Sequence, residues 1–226
     1  MRVQELAKEQ EAYVIACRRH LHEHPELSTQ EVETTKFIKA ELTKMGIPVQ
    51  EFDGITGCVG TIEGTMPGKT VMLRADIDAL PIQENPGKSY CSKNPGVMHA
   101  CGHDGHTAIL LGAAKILKEH LDEVHGRIIL FFERAEENGG GMPQMLAYMD
   151  KHGITADTCY GTHLFAMLES GKVGLITGGT MSTAMGFNIT IHGKGGHGSR
   201  PDQANSPIDC FVAIYNALQA ARLTKD

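Results

Sequence analysis

The sequence predicts an α/β fold in which helices cover a mixed sheet, followed by the start of a second, smaller domain. Segments with helical apolar spacing alternate with short apolar runs along residues 1–178, as in a sheet layered with helices. After Gly178-Gly179, one alternating segment and one helical segment remain, which is too little to bury a core. We therefore expect a first domain over residues 1–178 and the first part of another over 179–226.

The predicted elements follow in order along the chain. Helical spacing favours helices at 4–22, 29–45, 105–120, 142–152 and 206–222. Apolar or alternating runs favour strands at 58–63, 69–75, 127–132, 157–162, 171–176 and 185–192. Ser28 or Thr29 precedes the second helix, and either hydroxyl is a suitable N-cap.

Composition excludes several classes of function. The chain has 226 residues and a net charge of −6, and the absence of a basic run argues against nucleic acid as a partner. Its apolar stretches are too short to span a bilayer, so no membrane association is expected. Residues 1–18 are charged throughout, unlike a secretory signal, and the six cysteines follow no disulfide spacing. We expect reduced thiols and a cytoplasmic location.

The segment His99–Thr107 holds the densest group of candidate metal ligands. Three histidines, one cysteine and one aspartate fall between residues 99 and 106, directly before a helical pattern. Cys101 and His103 are two residues apart, and such side chains point to the same side of an extended segment. Cysteine and histidine are preferred zinc ligands. The alternative is a buried thiol beside Asp104, which we interpret as a helix cap or support.

Acidic and histidine side chains also follow the predicted strands. Asp76 and Asp78 come after one strand, Glu136 and Glu137 after another, and His163 after a third. Ligands bind at strand ends in open α/β sheets, so these positions are candidates for one site. One glutamate could bind metal while its neighbour accepts a proton from water. Taken singly, each signal is also compatible with an acidic turn, a turn-forming aspartate or a structural histidine.

The remaining histidines give weaker signals. His197 lies in a glycine-rich loop, where it either polarises a substrate carbonyl or has no catalytic role. Three histidines precede the first strand, and we interpret them as a helix-end surface or shape feature, while composition alone leaves a metal site there open: His20, His22 and His24. His99 and His106 receive no assigned role. Three charged residues of the same loop are interpreted as surface or substrate-loop charges: Lys194, Arg200 and Asp202.

Five segments, taken together and in order, closely resemble the M20 metallopeptidase family. They lie at residues 18–28, 73–81, 99–108, 135–137 and 193–201. The similarity is to the amidohydrolase branch, which includes hippurate, N-acyl-amino-acid and auxin-conjugate hydrolases. The cysteine-containing turn at 99–108 is specific to that branch.

This resemblance implies a catalytic centre with two divalent metal ions, which could be Zn, Mn, Co or Ni. It implies Cys101, His103, Glu137 and His163 as metal ligands. It also implies that Glu136 is the general base for hydrolysis of the amide bond of an N-acyl amino acid or a dipeptide-like substrate.

The resemblance further implies that Asp78 orients a metal-binding side chain without binding the metal itself, and that His197 helps to stabilise the oxyanion. Residues 1–178 would be the catalytic metal-binding domain, lacking its C-terminal part. Residues 179–226 would begin an inserted α+β lid and dimerisation domain, through which the full-length protein would form a homodimer.

The chain departs from the family pattern in three ways. Glu133 and Arg134 replace a common Gln-Pro pair, and Leu164-Phe165-Ala166 replaces a segment that commonly contains Trp-Pro. The sequence also ends before a further histidine ligand of the family, so we expect this chain alone to be weakly active or inactive. The alternatives are a non-catalytic fragment or binding protein of the same fold, and a redox or structural Cys/His metal site.

Overall fold

The computed structural model describes residues 2–179 and 186–221 and divides the chain into two compact units. The first unit is Met1–Glu169 and the second is Ser170–Asp226. The division falls between residues 169 and 170, and the domain boundary at 178 stays a prediction of the sequence. The catalytic and lid roles assigned to these two regions stay predictions.

A five-stranded mixed sheet forms the centre of the first unit, as the sequence predicts. Its strands are β1 (Val49–Glu51), β2 (Cys58–Glu63), β3 (Met66–Asp76), β4 (His125–Glu133) and β5 (Thr158–Gly161). The spatial order is β1-β2-β4-β3-β5. The pairs β1–β2 and β2–β4 are antiparallel, whereas β3 runs parallel to both β4 and β5.

The helices differ from the predicted spans mainly at their ends. They are α1 (Val3–Glu9), α2 (Glu11–Glu23), α3 (Val32–Lys44), α4 (His103–Glu119), α5 (Gly141–Lys151) and α6 (Pro207–Ala221). The single helix predicted over 4–22 is wrong, because the backbone leaves the helical conformation at Gln10 (φ −90°, ψ 1°). The N-terminal helix is therefore two helices.

The predicted N-cap of α3 is also wrong. The Ser28 hydroxyl donates a hydrogen bond to Asp78, at 2.6 Å, and Thr29 adopts a left-handed conformation with φ of 72°. The carboxylate of Glu26 takes over the capping function, since it accepts a 2.8 Å hydrogen bond from the backbone N–H of Thr34. An acceptor outside the helix thus satisfies an amide of its first turn.

The centre of the sheet is buried on both faces, which explains the continuous apolar run in β4. Leu130 and Phe132 pack with α3 and α4 residues in one core cluster, whereas Ile129 and Phe131 pack with α5 residues in another. Side chains alternate between the faces of a strand, so a strand covered on both faces is apolar at every position. Strands β3 and β4 pair up to Asp76 and Glu133, so both carboxyl ends reach the same edge of the sheet.

The second unit contains less regular structure than the sequence predicts. Among residues 171–179 and 186–192, the structure places no strand, so the strands predicted at 171–176 and 185–192 are wrong over those residues; residue 185 lies outside the described part. A strand needs a neighbour for its backbone groups, and only an isolated bridge joins Lys194 to Asn205 in the described part of this unit. No helix in the described residues is long and apolar enough to cross a membrane.

Candidate metal centre

Cys101, His103, Glu137 and His163 meet at the carboxyl ends of β3, β4 and β5. The thiol Sγ of Cys101 lies 3.4 Å from Nε2 of His163, and Nε2 of His103 lies 3.7 Å from Oε1 of Glu137. Ligand atoms of Cys101, His103 and His163 all lie within 4.8 Å of one another. The topology explains this convergence, because parallel strands end at one edge and α4 begins beside them.

A glycine makes the turn that brings Cys101 close to His103. Gly102 is the N-cap of α4 and adopts a left-handed conformation with φ of 94°, which a residue without a side chain accepts readily. The predicted extended conformation of this segment is therefore wrong. The two candidate ligands still face the same point.

His103 presents one ring nitrogen to the site and uses the other to fix its orientation. Its side chain is fully buried, and Nδ1 donates to Oδ1 of Asp78 at 3.2 Å. Across the described part of the chain, Nε2 has no hydrogen-bond partner. Burial disfavours the charged ring, but the bond to Asp78 and the charge of Asp76 outweigh it and raise the pKa of His103. A carboxylate behind a histidine is the usual arrangement around a metal ligand.

Asp78 connects two of the candidate ligands. Besides its bond to His103, it accepts hydrogen bonds from the Ser28 hydroxyl at 2.6 Å and from the backbone N–H of Glu137 at 3.1 Å. Burial alone would raise the pKa of Asp78, but the bonds from His103, Ser28 and Glu137 outweigh it and lower the pKa. Asp78 therefore stays ionised while it orients the His103 ring and the Glu137 backbone.

The electrostatics of the site suit a divalent cation. Burial, followed by the charge of Glu137, raises the pKa of the Cys101 thiol to about 12, and burial raises the pKa of Glu137 itself. Oε1 of Glu137 is a second buried atom that finds no partner among the described residues. Buried polar atoms are normally paired. A sulfur, two imidazoles and a carboxylate around unpaired atoms fit an ion such as zinc or its first-row neighbours.

Glu136 and Glu137 are adjacent but sit in different surroundings. Oε2 of Glu136 lies 3.9 Å from Nε2 of His103, so both glutamates border the same point. The Glu136 side chain is 38% exposed and that of Glu137 is 20% exposed. Glu136 therefore retains access to water beside the candidate ligands, which a proton acceptor requires.

His106, which received no role from the sequence, links Asp76 to the segment after His163. Its Nε2 accepts a 2.8 Å hydrogen bond from the backbone N–H of Leu164, and its Nδ1 donates to Oδ1 of Asp76 at 2.6 Å. Both nitrogens are occupied, so His106 is not a ligand, although it lies in a cluster with Asp76 and His103. Burial opposes ionisation of Asp76, but its bond to His106, with the charges of His103 and Arg74, lowers its pKa to about 2.

A second buried cluster lies next to the candidate ligands, and its histidine was misassigned. His22 is buried, not on the surface, and its nitrogens face Oδ2 of Asp104 at 2.8 Å and Oε1 of Glu84 at 3.0 Å. Arg18 donates to the same Asp104 oxygen at 2.9 Å. The hydrogen bond to Asp104 raises the pKa of His22. Asp104 is thus a support rather than a cap, whereas His20 and His24 are exposed as expected.

The two replacements in the strand-end motif are both buried and paired. Glu133 accepts a hydrogen bond from Nε of Arg74 at 2.6 Å, and Nε of Arg134 donates to the Thr56 hydroxyl at 2.9 Å. These side chains line the base of the loop that carries Glu136 and Glu137. Both side chains are therefore buried supports next to this loop and do not lie on the surface.

Two further histidines, His197 and His99, lie in different units. His197 belongs to the second unit, where the backbone N–H of Ser199 donates to its Nδ1 at 3.2 Å, so the ring proton resides on Nε2. His99 is buried in the first unit, and neither of its nitrogens has a partner within the described residues. Burial lowers the pKa of His99 to about 4, so the ring is neutral.

Comparison with known proteins identifies the family. The family model described as "Peptidase family M20/M25/M40" matches residues 72–222, which include all four candidate ligands and Glu136. The chain belongs to this family. The resemblance seen in the sequence is therefore confirmed, together with its α/β fold.

Among M20 relatives, the "Thermostable carboxypeptidase 1" of Saccharolobus solfataricus is 44% identical over 214 residues, covering 93% of this chain and 54% of that protein. The "N-acyl-L-amino acid amidohydrolase" of Geobacillus stearothermophilus is 44% identical over 218 residues, covering 96% and 58%. The crystal structure of Bacillus subtilis YXEP, a dinuclear metal-binding M20 peptidase, aligns with a TM-score of 0.67 and 41% identity, over 71% of this chain and 45% of that one. The chain thus spans about half the length of the curated relatives it matches.

Proposed function

We propose that this chain carries the metal-binding part of a metal-dependent amidohydrolase that acts on N-acyl amino acids or related small amides. The observation that carries the proposal is the pair of buried, unpaired atoms, Nε2 of His103 and Oε1 of Glu137. They face each other across 3.7 Å, beside the Cys101 thiol and the His163 ring. Related proteins named as a carboxypeptidase and an N-acyl-amino-acid amidohydrolase support this chemistry.

In this proposal, Cys101, His103, Glu137 and His163 hold two divalent ions, such as Zn, Mn, Co or Ni. A dinuclear site in the B. subtilis relative supports this number. Bound divalent ions would lower the pKa of water and polarise the amide carbonyl.

The chain's own residues would move and hold the protons. Oε2 of Glu136 takes a proton from the attacking water and later transfers it to the leaving amine nitrogen. Asp78 keeps the Nδ1 proton of His103 in place, so that Nε2 stays available for binding. His197 would donate its Nε2 proton as a hydrogen bond to the carbonyl oxygen as negative charge develops there.

The substrate class follows from what the relatives' names share. A carboxypeptidase and an N-acyl-amino-acid amidohydrolase both cleave an amide whose nitrogen belongs to an amino acid. We extend the proposal to the second unit, as the first part of a lid that supplies His197 and the contact of a homodimer in the cytoplasm. The glycine-rich segment around His197 and its match to the family motif support this role.

The test is amine release from N-acyl amino acids by the full product of the gene, loaded with Mn²⁺ or Zn²⁺. Glu136→Gln should lower kcat by about 10²–10⁴-fold while the metal content stays at the wild-type value. Glu33→Gln is the matched control, because Glu33 is exposed and pairs only with Lys36 in the described contacts. A metal-loaded wild-type protein that hydrolyses none of these amides would instead support the non-catalytic alternative. Undiminished hydrolysis by Glu136→Gln would refute its role as the base.

A further inference from the structure

We propose that Glu31 is a positioning residue, whose buried carboxylate fixes the backbone at Ala135 and thereby sets the directions of Glu136 and Glu137. The inference rests on the proposed function, since it gives Glu31 an effect on the metal centre. It assigns Glu31 no contact with metal or substrate.

Glu31 lies far from the site in sequence but directly beneath it in the fold. It is the N-cap residue of α3, and its side chain is completely buried. Oε1 accepts a hydrogen bond of 2.7 Å from the backbone N–H of Ala135, which is 104 positions further along the chain. A buried carboxylate is costly unless its oxygens are bonded, so this contact is a built feature of the core.

Ala135 is held in a conformation that its side chain disfavours. Its φ is 49°, in the left-handed region, although it is not a glycine. Such a residue persists where the surrounding structure holds it, and these residues concentrate at functional sites. Glu136 and Glu137 follow immediately, so a change of Ala135 to a right-handed conformation would redirect both carboxylates.

The other oxygen of Glu31 is tied to the opposite side of the same loop. Oε2 accepts a hydrogen bond of 2.5 Å from the Thr56 hydroxyl, which in turn accepts one of 2.9 Å from Nε of Arg134. Arg134 is itself buried, so its charge offsets that of Glu31 through the shared hydroxyl. Because each oxygen of Glu31 already has a donor, this residue acts on the site through the loop that it holds, chiefly at the backbone of Ala135, and not by direct contact.

Two conservative variants of Glu31 separate the effect of side-chain length from the effect of charge. Glu31→Asp keeps the charge but is one methylene too short for Ala135, whereas Glu31→Gln loses the charge but keeps an oxygen for the same N–H. Substitutions of residues that orient metal ligands typically weaken metal affinity 10–100-fold. We therefore expect Glu31→Asp to raise the Kd for Co²⁺ by about 10–100-fold, and Glu31→Gln to raise it by less than about threefold.

The experiment titrates Co²⁺ into the wild-type chain and the variants, follows the absorption of the bound ion, and records thermal unfolding in parallel. Glu33→Gln, on the exposed face of α3, should match wild type. Ala135→Gly placed in the Glu31→Asp background should regain most of the lost affinity, because glycine adopts positive φ without strain. A purely structural role would not give this rescue.

Several results would overturn the inference. They are a Glu31→Asp Kd within twofold of wild type, an effect of Glu31→Gln equal to or larger than that of Glu31→Asp, and no rescue by Ala135→Gly. Unfolding of both single variants would assign Glu31 to folding alone. If the wild-type chain itself fails to bind Co²⁺, the proposed metal site is wrong. If wild type and Glu31→Asp both bind Co²⁺ normally, the metal site stands and only the role of Glu31 is wrong.

Discussion

Two buried charged clusters lie beside the first turn of α4, and they differ in whether their polar atoms are paired. In the first, both nitrogens of His22 bond to carboxylates, those of Asp104 and Glu84, and only Oδ1 of Asp104 lacks a partner among the described residues. In the second, around Cys101 and His103, Nε2 of His103 and Oε1 of Glu137 face each other, and neither has a partner among the described residues. The same residue types therefore complete a structural network in one place and leave an incomplete site in the other.

The difference is informative because leaving charged or polar groups buried without partners costs free energy. The cluster around His22 gains most of its compensation from hydrogen bonds within the chain. The unpaired cluster needs a partner from outside, and its donor set fits a divalent ion. Substitutions in the two clusters should consequently have opposite effects on stability and on metal binding.

The largest expected effect is that of His103→Gln on metal affinity. Loss of a ligand located between Asp78 and the carboxylates should weaken Co²⁺ binding by more than about 100-fold. The stability of the metal-free protein should change little, because the substitution also removes an unpaired buried nitrogen. A Co²⁺ titration and urea unfolding in chelator measure the two quantities. Wild-type affinity in this variant would show that His103 is not a ligand.

His22→Leu should show the reverse pattern. Both carboxylate partners of His22 are almost completely buried, so removal of the ring takes a hydrogen bond from each and leaves only Arg18 and Lys88 as their cations. The substitution should lower the free energy of unfolding by about 3 kcal/mol. Metal affinity, measured on the folded variant, should stay within a few fold of wild type. His20→Gln on the same helix, an exposed histidine, is the control. A large loss of metal affinity with little loss of stability would contradict the distinction between the clusters.

His106→Asn tests the connection that His106 makes between Asp76 and the segment next to His163. Asparagine keeps a donor for Asp76 but is too short to accept the hydrogen bond from Leu164 N–H, which holds the segment next to His163. We expect metal affinity to fall about tenfold, which is less than for His103→Gln. An affinity equal to that of wild type would show that the position of His163 does not depend on His106.

The smallest expected effect concerns how the stability contribution of His22 depends on pH. The pKa of His22 is raised in the folded protein, chiefly by its bond to Asp104, so the proton it holds stabilises the fold. That contribution is complete below the ordinary histidine pKa of about 6.5 and is lost as the pH rises through the raised value. In metal-free protein, the stability difference between wild type and His22→Leu should therefore shrink from pH 6 to pH 9. A difference that is constant or grows with pH would contradict this assignment.

The general location of the site was predictable from the sequence because it depends on local signals. The predicted strands end directly before Asp76 and Glu133, and parallel strands bring such ends to one edge. The dense group of candidate ligands before α4 then indicates which edge carries the candidate site. These features need no knowledge of distant contacts.

The remaining details depend on contacts between residues far apart in sequence. Nothing beside His22 indicates that Glu84 and Asp104 enclose it, and nothing beside Glu31 indicates the backbone of Ala135. The predicted cap of α3 failed for the same reason, since Glu26 and Asp78 compete for the groups near its N-terminus. The sequence pattern also overpredicted the strands at 171–176 and 185–192, where the described residues offer no neighbouring strand.

The most direct test of the metal centre is the thiolate absorption of bound Co²⁺. Titration of wild-type chain should produce a saturable thiolate-to-cobalt band, because a metal at Cys101 must displace the proton of a thiol whose pKa is about 12. Cys101→Ser should abolish the band, whereas Cys91→Ser, a change in a cysteine of similar partial burial, should leave it intact. A band that survives in Cys101→Ser, or no band in wild type, would contradict the proposed centre.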